Sequence, residues 1–340
     1  MTLGLIDFDG CGDGDRSLTL WSSASFTNVG TTYGTFGGYG FQVLGLGGNA
    51  TRYLKPENTA FGTTHIIAGC HRYMESAQDM SWCFKEGTTT HIEVYVQADG
   101  TIQVYRGTGK SSSLGATAAG VFPLTQWVFM VVDLTIADGT GGSCYIYLYG
   151  TGTPVLSCTS VDTRNGGTAG VIDNLNWGGP GNSHQRVDDL YIIDATVASA
   201  VQLGSVVVGL RAPNADSTPL EWDSSGANHW SVVDEQPFSD ADYIQTAVNG
   251  EKDLMTVSDD GKDYQPYGVR LIGRMLKTDA DSCQARLIIK DGANYGSGTT
   301  RNLSAAAVYY RDCFEVRPGG AGEWTQAALD ALAVGAEKVA

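Results

Sequence analysis

Residues 92–105 read Ile-Glu-Val-Tyr-Val-Gln-Ala-Asp-Gly-Thr-Ile-Gln-Val-Tyr and carry the clearest strand signal in the chain. Apolar and polar residues alternate with period two, which is typical of a β-strand with one buried face. A two-residue Asp-Gly turn would set Val96 opposite Gln103 and mix the two faces. A three-residue loop sets Val96 opposite Ile102 and places Gly100 in the left-handed position of a bulged turn. The pattern therefore predicts an antiparallel hairpin in the second register.

Other segments of the first 200 residues also indicate short strands. Residues 127–134 are apolar on both faces, which predicts a central strand, and residues 144–149 alternate with three tyrosines on one side. Glycine-rich turns separate these segments. Further strands are predicted at residues 41–44, 65–73, 81–84, 171–177 and 190–193. Many short strands joined by turns predict an antiparallel sandwich or jelly roll.

The remainder of the chain is predicted to form a second β-sandwich with one short helix. Residues 195–204 are small and carry no strong pattern, so the domains are predicted as 1–200 and 204–340. Strands are predicted in this second part, including one near residues 230–233. Thr325 can cap a helix over residues 326–334 that Gly335 would end. The fold class predicted for the whole chain is all-β, with two β-sandwich domains in series.

Composition excludes several classes of protein. Glycine accounts for 45 of 340 residues, and charged residues make up only 17%. This combination favours short strands joined by glycine turns and argues against a helical protein. With 21 basic and 37 acidic residues the net charge is −16, which disfavours a nucleic-acid partner because no basic surface is available for phosphates. No apolar run is long enough to cross a membrane, and the start of the chain lacks the features of a signal peptide. Seven cysteines favour free thiols in a reducing cytosol, with covalent pairing between subunits as the alternative.

The sequence offers few candidates for catalysis. The Glu-x-Asp spacing of retaining glycosidases occurs at Glu221 and Asp223 and again at Glu251 and Asp253, each without a glutamate three positions later. The hairpin strand supplies only Glu93. No Gly-x-Ser-x-Gly motif with placeable partners is present. These observations predict that the protein is not an enzyme and needs no cofactor.

The densest carboxylate cluster lies near the start of the chain. Asp7, Asp9, Asp13 and Asp15 lie within residues 7–15 together with three glycines, and oxygen ligands on a flexible loop are what calcium prefers. The spacing does not match an EF-hand, and Asp and Gly also simply form turns. The turn interpretation is favoured, so no metal site is predicted and the four aspartates are weak candidates.

Aromatic side chains are the best candidates for contacts with other molecules. Tyr145, Tyr147 and Tyr149 fall on one side of a predicted strand and could stack on sugar rings. They could equally pack across strands or against a neighbouring subunit. Tyr73 and Trp82 are further candidates at a loop rim.

The first part of the chain resembles the laminin-G-like, concanavalin-type jelly rolls of tailed-bacteriophage virion proteins. The shared features are Phe8-Asp9-Gly10, the Asp99-Gly100 hairpin, the Trp127 strand and the closing segment at residues 187–194. The second part resembles a module that often follows that jelly roll in phage structural proteins. Its marks are Pro213-Asn214-Ala215-Asp216, Trp222, Asn228-His229-Trp230, Val233-Asp234-Glu235-Gln236-Pro237, Asp242-Tyr243-Ile244 and Glu323-Trp324-Thr325.

The resemblance implies a non-enzymatic structural component of a phage particle, of the head-decoration, collar or tail-fibre type. Its expected partners are other virion proteins and further copies of itself as a dimer or trimer, and its expected location is the virion, assembled in the host cytoplasm. Neither nucleic acid nor membrane is an expected partner. The alternative is a carbohydrate-binding module that attaches to a host surface glycan.

Overall fold

A computed structural model of the chain contains two compact units, Leu3–Gly209 and Leu210–Ala340. The structure describes residues 5–9, 23–24, 26–30, 40–43, 49–53, 62–74, 79–150, 152–166, 169–178, 185–235, 239–259, 261, 263, 265–320 and 322–340. The regular secondary structure of both units consists almost wholly of antiparallel strands. The predicted all-β fold class is confirmed.

Fifteen described strands form the first unit, with β6 and β15 the longest at ten residues each. They are β1 (Leu5–Asp9), β2 (Ser23–Ala24), β3 (Phe26–Gly30), β4 (Gly40–Val43), β5 (Asn49–Tyr53), β6 (His65–Met74), β7 (Met80–Glu86), β8 (Thr89–Val96), β9 (Ile102–Arg106), β10 (Ser113–Ala116), β11 (Trp127–Thr135), β12 (Gly142–Leu148), β13 (Leu156–Val161), β14 (Asn174–Gly178) and β15 (Gln185–Asp194).

These strands form two sheets. An eight-stranded sheet has the order β13-β12-β11-β6-β15-β4-β3, with β1 also paired to β15, and a seven-stranded sheet has the order β10-β9-β8-β7-β14-β5-β2. The predicted hairpin register is confirmed, because Val96 lies opposite Ile102 and Gly100 has φ 80°. The central position predicted for residues 127–134 is also confirmed, since β11 lies between β12 and β6.

The core of the first unit lies between the two sheets. Trp82 of β7 and Trp177 of β14 are fully buried, and their rings stack with centroids 5.4 Å apart. From the eight-stranded sheet, the guanidinium of Arg72 lies 5.6 Å above the Trp82 ring. Burial lowers the pKa of Arg72 to about 10, because a charged group is poorly solvated there. The alternation of each strand therefore sends one set of side chains into this core and the other set outward.

The outer side of the eight-stranded sheet carries its own apolar cluster. Ile67, Phe129, Val131, Tyr191 and Ile193 are buried there. The chain that follows β15 covers them, with partly buried apolar side chains packed on the cluster: Ala195, Ala200, Leu203 and Val206. This covering segment, residues 195–209, thus belongs to the packing of the first unit.

The second unit contains ten strands and one α-helix among its described residues. They are β16 (Pro213–Leu220), β17 (Asp223–Ser224), β18 (Ile244–Gln245), β19 (Lys252–Val257), β20 (Val269–Met275), β21 (Gln284–Asp291), β22 (Asn294–Ser297), β23 (Arg301–Asn302), β24 (Val308–Phe314), α1 (Gln326–Asp330) and β25 (Ala333–Lys338). The main sheet has the order β16-β19-β25-β21-β22, with β23 on β21, and β17-β18 and β20-β24 form separate pairs.

One face of the main sheet packs under helix α1 and the β20-β24 pair. Trp324 is buried in this cluster with Ile289 and Leu332, and its indole N–H donates to the Phe314 carbonyl oxygen at 2.8 Å. Partly buried Leu271 from β20 completes the cluster. The indole is thus both packed and hydrogen-bonded, as buried tryptophans require.

Two predictions for the second unit are wrong and one is confirmed. Thr325 caps α1 as expected, since its hydroxyl oxygen accepts from the Ala328 N–H at 3.3 Å. The helix ends at Asp330, however, and Gly335 lies inside β25 instead of ending a helix. The predicted strand near residues 230–233 is a 3₁₀ turn over Trp230–Val232, because the Val233 N–H bonds back to the Trp230 carbonyl oxygen.

The six described cysteines are free thiols. Cys70, Cys83, Cys144 and Cys158 are buried in the first unit, and burial raises the pKa of Cys70 to about 12. Within the described part of the chain, no helix is both long and apolar enough to cross a membrane.

Candidate functional site

The outer side of the seven-stranded sheet is lined with polar and aromatic side chains. Cross-strand register places Cys83, Glu93 and Tyr105 side by side in one row. Ser81, Tyr95 and Gln103 form the neighbouring row, so we call these six residues the polar face. The rows point away from the core because their neighbours along each strand, including Trp82, Val94 and Val104, are fully buried.

A lysine and an aspartate close one end of the polar face. The Lys110 ammonium lies 3.6 Å from the centre of the Tyr95 ring and 3.6 Å from the Asp79 carboxylate. The Tyr95 hydroxyl donates to the same carboxylate, whose other oxygen accepts from the Ala98 N–H at 3.0 Å. Tyr105 stands edge-on to Tyr95 with ring centres 6.4 Å apart. Cation, phenol and carboxylate are thus held in one fixed group.

Side-chain amides extend the polar face toward β10. The Gln97 amide N–H donates to the Gln103 amide oxygen at 2.6 Å, and the Gln103 amide N–H donates to the Ser113 hydroxyl at 3.1 Å. Gln103 and Glu93 are half-buried and Ser113 is exposed. A ligand that approaches the sheet from solvent can therefore reach Glu93, Gln103 and Ser113, together with exposed Lys110. The other members of the polar face, Ser81, Cys83, Tyr95 and Tyr105, are buried and support these groups from below.

Burial changes the acidity of the central groups. The pKa of Glu93 is raised, chiefly because burial disfavours its charged form, while Lys110 and the Ser81 hydroxyl act in the opposite direction. Burial also raises the pKa of Tyr95, and the Asp79 carboxylate adds to this effect. The polar face therefore combines neutral phenols, a carboxyl group that retains its proton beyond its ordinary range, and an ammonium group. Such groups can hydrogen-bond a polar ligand, and Glu93 can give or take a proton.

The predicted tyrosine row lies on the other sheet and is only partly a row. Tyr145 and Tyr147 are half-buried on β12, and Tyr147 packs on the outer apolar cluster of the eight-stranded sheet. Tyr149 lies beyond the end of β12 with φ 63° and is 59% exposed. The expectation of three aligned tyrosines is corrected, because the left-handed conformation of Tyr149 breaks the alternation of the strand.

The two remaining aromatic candidates occupy different environments. Tyr73 is half-buried, 5.7 Å from the Trp127 ring and 4.7 Å below the Arg186 guanidinium. Trp82 is fully buried in the core, so the predicted contact of Trp82 with a glycan or a subunit is corrected. The alternation of β7 sends it inward together with Phe84.

The four aspartates considered for calcium are not tested as ligands. The backbone of Asp7 and Asp9 belongs to β1, which pairs with β15. Asp13, Asp15 and all four side chains lie outside the described residues. Among the described residues, no group of three or more His, Cys, Asp or Glu side chains is arranged to hold a metal ion.

Known proteins resemble this chain only distantly. No protein-family model and no curated protein matches the chain. Similar solved structures include an alginate lyase from Aplysia kurodai, with 10% identity over 50% of this chain and 87% of the lyase and a TM-score of 0.36. The binding domain of a Paraclostridial mosquitocidal protein has 10% identity over 56% of this chain and 49% of that chain, with a TM-score of 0.41. A Trypanosoma rangeli sialidase has 15% identity over 57% of this chain and 31% of the sialidase, with a TM-score of 0.39.

The sheets of the first unit themselves show a jelly-roll-like β-sandwich fold. At these identities and TM-scores no activity or ligand passes from these proteins to this one. The prediction that the protein is not an enzyme is corrected only in this sense: folds of this kind also occur in enzymes, a lyase and a sialidase among them, so the fold does not exclude catalysis. That prediction depended on the absence of two sequence motifs, the carboxylate spacing of retaining glycosidases and Gly-x-Ser-x-Gly, and such a test covers only the mechanisms that those motifs mark.

Most of the polar face has no signature in the sequence. Glu93 stands out as a carboxylate on the hairpin strand, but that strand offers it no carboxylate partner. Its neighbours come from other elements: Tyr105 from β9, Asp79 from the residue before β7 and Lys110 from the loop after β9. The usable signal is the predicted hairpin register, which already places Glu93 opposite Tyr105.

The raised pKa of Glu93 predicts how stability depends on pH. The folded chain holds this proton to a higher pH than the unfolded chain, so the contribution of Glu93 to stability is greatest in acid and falls as pH rises through its folded pKa. We expect Glu93→Gln, which stays neutral, to have a higher Tm than the wild type at about pH 7.5 and no such advantage at about pH 4. Thermal unfolding of both proteins at the two pH values measures this difference, and equal Tm differences at both would contradict it.

Proposed function

We propose that the first unit binds a carbohydrate on the polar face. The observation that carries this proposal is the group formed by Lys110, Tyr95 and Asp79, which lies beside Glu93 and the hydrogen-bonded amide of Gln103. Polar groups that a ligand covers lose their hydrogen bonds to water, which costs free energy. A ligand whose own polar groups hydrogen-bond to them offsets that cost.

The chemistry of the polar face suits sugar hydroxyls. A hydroxyl group both donates and accepts, so it can donate to the amide oxygen of Gln103 and accept from its N–H. Lys110 supplies donors only, and Glu93 can act in either role according to its proton. The net charge of −16 argues against a polyphosphate backbone as the ligand. A polysaccharide segment laid across the strands would meet these groups in sequence.

A glycan array followed by calorimetric titration tests this proposal. Gln103→Ala and Lys110→Ala should each weaken binding of the best glycan by about 5- to 30-fold, the loss expected for one or two hydrogen bonds. Tyr145→Phe on the other sheet is the matched control and should bind as the wild type does. Loss of binding in Tyr145→Phe with unchanged binding in Gln103→Ala would place the glycan on the predicted tyrosine row and contradict the proposal.

A second candidate function is assembly into a virus particle, as the phage resemblance implies. In the second unit several large apolar side chains are exposed, and such side chains are suited to contacts with other copies or other virion proteins. The most exposed of them are Val248 (55%), Tyr243 (47%), Leu210 (44%) and Tyr295 (41%). Image reconstruction of the particle, with the chain located in it or missing from it, decides this candidate. The two functions agree if the glycan site serves attachment to a host.

A further inference from the structure

We infer that Ser205, His71 and Asp189 form a nucleophilic site that hydrolyses carboxylic esters. The Ser205 hydroxyl donates to the His71 Nε2 atom at 3.4 Å, and the His71 Nδ1–H donates to the Asp189 carboxylate at 2.9 Å. Nucleophile, base and orienting carboxylate thus follow one another in the order that activates a serine. The 3.4 Å separation matches the looser contact that such sites show without substrate.

The surroundings of the pair hold the imidazole in the orientation that catalysis needs. Asp189 is 3% exposed, and its second carboxylate oxygen accepts from the Val208 N–H at 2.8 Å. The His71 ring packs edge-on against Phe129, with centroids 4.7 Å apart, and against Trp127 at 6.4 Å. With Nδ1 bound to Asp189, Nε2 is the atom directed at Ser205.

Local backbone geometry brings the three residues together. His71 lies opposite Asp188 on β15, where a bulge between Asp188 and Tyr191 inserts an extra residue. Asp189 occupies the bulge with φ 52° and so joins His71 on the outer side of the eight-stranded sheet. Ser205 lies on the covering segment, residues 195–209, which places its hydroxyl beside the His71 ring.

Ser205 is accessible to a substrate and does not contribute to packing. It is exposed, whereas Leu203 and Val206 on either side pack on the apolar cluster and hold the covering segment in place. The Ser205 N–H has no acceptor among the described residues, so it can donate to the oxyanion of a tetrahedral intermediate. Exposure thus increases from Asp189 through His71 to Ser205. An ester that approaches from solvent can therefore reach the serine, while the carboxylate stays shielded from water.

The reaction balances with water as the only co-reactant. The Ser205 oxygen bonds to the acyl carbon while His71 takes the hydroxyl proton, and His71 gives that proton to the alcohol oxygen as its bond to the acyl carbon breaks. Water then attacks the acyl-serine, passes one proton to His71, and the acid leaves as Ser205 regains its proton. The products are one carboxylic acid and one alcohol.

The neighbouring surface suggests that the alcohol is a sugar. Gly150 is a neighbour of Ser205, since a Cβ placed on Gly150 would lie in ordinary van der Waals contact with the Ser205 nitrogen, at 3.6 Å. Tyr149, the preceding residue, is 59% exposed and offers its ring to the apolar side of a pyranose. An O-acyl sugar at an open surface fits this arrangement. The site lies on the sheet opposite the polar face, so it does not depend on the proposed function.

Labelling with a fluorophosphonate probe and hydrolysis of p-nitrophenyl acetate test the site. We expect the probe to label Ser205 in the full-length chain, with labelling about 10²- to 10⁴-fold slower in His71→Gln, because the general base is lost. Ser205→Ala should abolish both labelling and ester hydrolysis. Ser157→Ala, which removes an exposed serine of β13, is the matched control and should behave as the wild type does.

Two results would overturn the inference: wild-type protein that is not labelled at Ser205, or Ser205→Ala that hydrolyses the ester as fast as the wild type. Because Ser205 is exposed, Ser205→Ala should fold as the wild type does, and it tests the site even where His71→Gln fails to fold. The sugar assignment has its own measurement. Tyr149→Ala should raise KM for an acetylated oligosaccharide about fivefold more than KM for p-nitrophenyl acetate. An equal change in KM for both substrates would refute the assignment of a sugar as the alcohol part of the ester.

Discussion

We expect Gly335→Ala to disrupt the main sheet of the second unit. Gly335 lies in β25, between β19 and β21, and pairs with Leu254 and Ile288. A Cβ on this glycine would overlap the Asp253 carbonyl oxygen and stand 2.8 Å from its carbonyl carbon. Both atoms belong to the backbone of the adjacent strand, so no change of rotamer can relieve the overlap. The strands must separate or the pairing must be lost.

The expected cost of Gly335→Ala is at least about 3 kcal/mol, the upper part of the range for overpacking, because backbone must move. Ordinarily alanine is better than glycine in a strand by about 0.5–1 kcal/mol, so a loss identifies the steric clash as the cause. Hydrogen exchange of peptides from β19 and β25 measures the effect.

Gly250→Ala provides the matched control for this prediction. Gly250 has φ 88°, and a Cβ added to it would meet only open space, so its substitution carries only backbone strain, of about 1 kcal/mol. Equal protection of β19 and β25 in the two variants would show that the close approach to Asp253 is unimportant.

Gly335 also shows where prediction from sequence ends. The alanines and leucines before it have helical propensity, and a glycine after such a run is typical of a helix C-terminus. The actual reason for this glycine is a neighbouring strand about eighty residues earlier in the chain, at Asp253. Contacts of that kind leave no local pattern. The hairpin of β8 and β9, by contrast, is predictable in full because its alternation and its turn both lie within residues 92–105.

The candidate sites divide in the same way. Glu93 and Tyr105 face each other across one hairpin, so the sequence already contains their pairing. Ser205, His71 and Asp189 come from the covering segment, β6 and a bulge in β15, and 118 positions separate His71 from Asp189. No motif search could assemble them, since catalytic triads are recognised by geometry and not by sequence spacing.

The largest loss of stability in the first unit is expected for Trp177→Ala. Its ring is fully buried between the sheets and stacks on Trp82 at 25° between ring planes. Truncation removes the transfer free energy of the ring and leaves a cavity that two packed sheets cannot close, a cost of about 3–5 kcal/mol. Urea unfolding should show a lower midpoint with an unchanged slope. Trp127→Ala, at a half-buried position, is the control and should cost about 1–2 kcal/mol.

Trp82 separates a packing role from a binding role. Because its ring is fully buried and faces Arg72 across the sandwich, it cannot reach a ligand on either outer surface. Trp82→Phe keeps an aromatic ring in the core and should lower stability, by about 1–3 kcal/mol, through the lost ring volume. Glycan affinity per folded molecule should stay at the wild-type value in calorimetric titration. A fall in affinity of the folded variant would mean that the core of the sandwich shapes the polar face, since Trp82 lies between Ser81 and Cys83 on β7, both of which point outward.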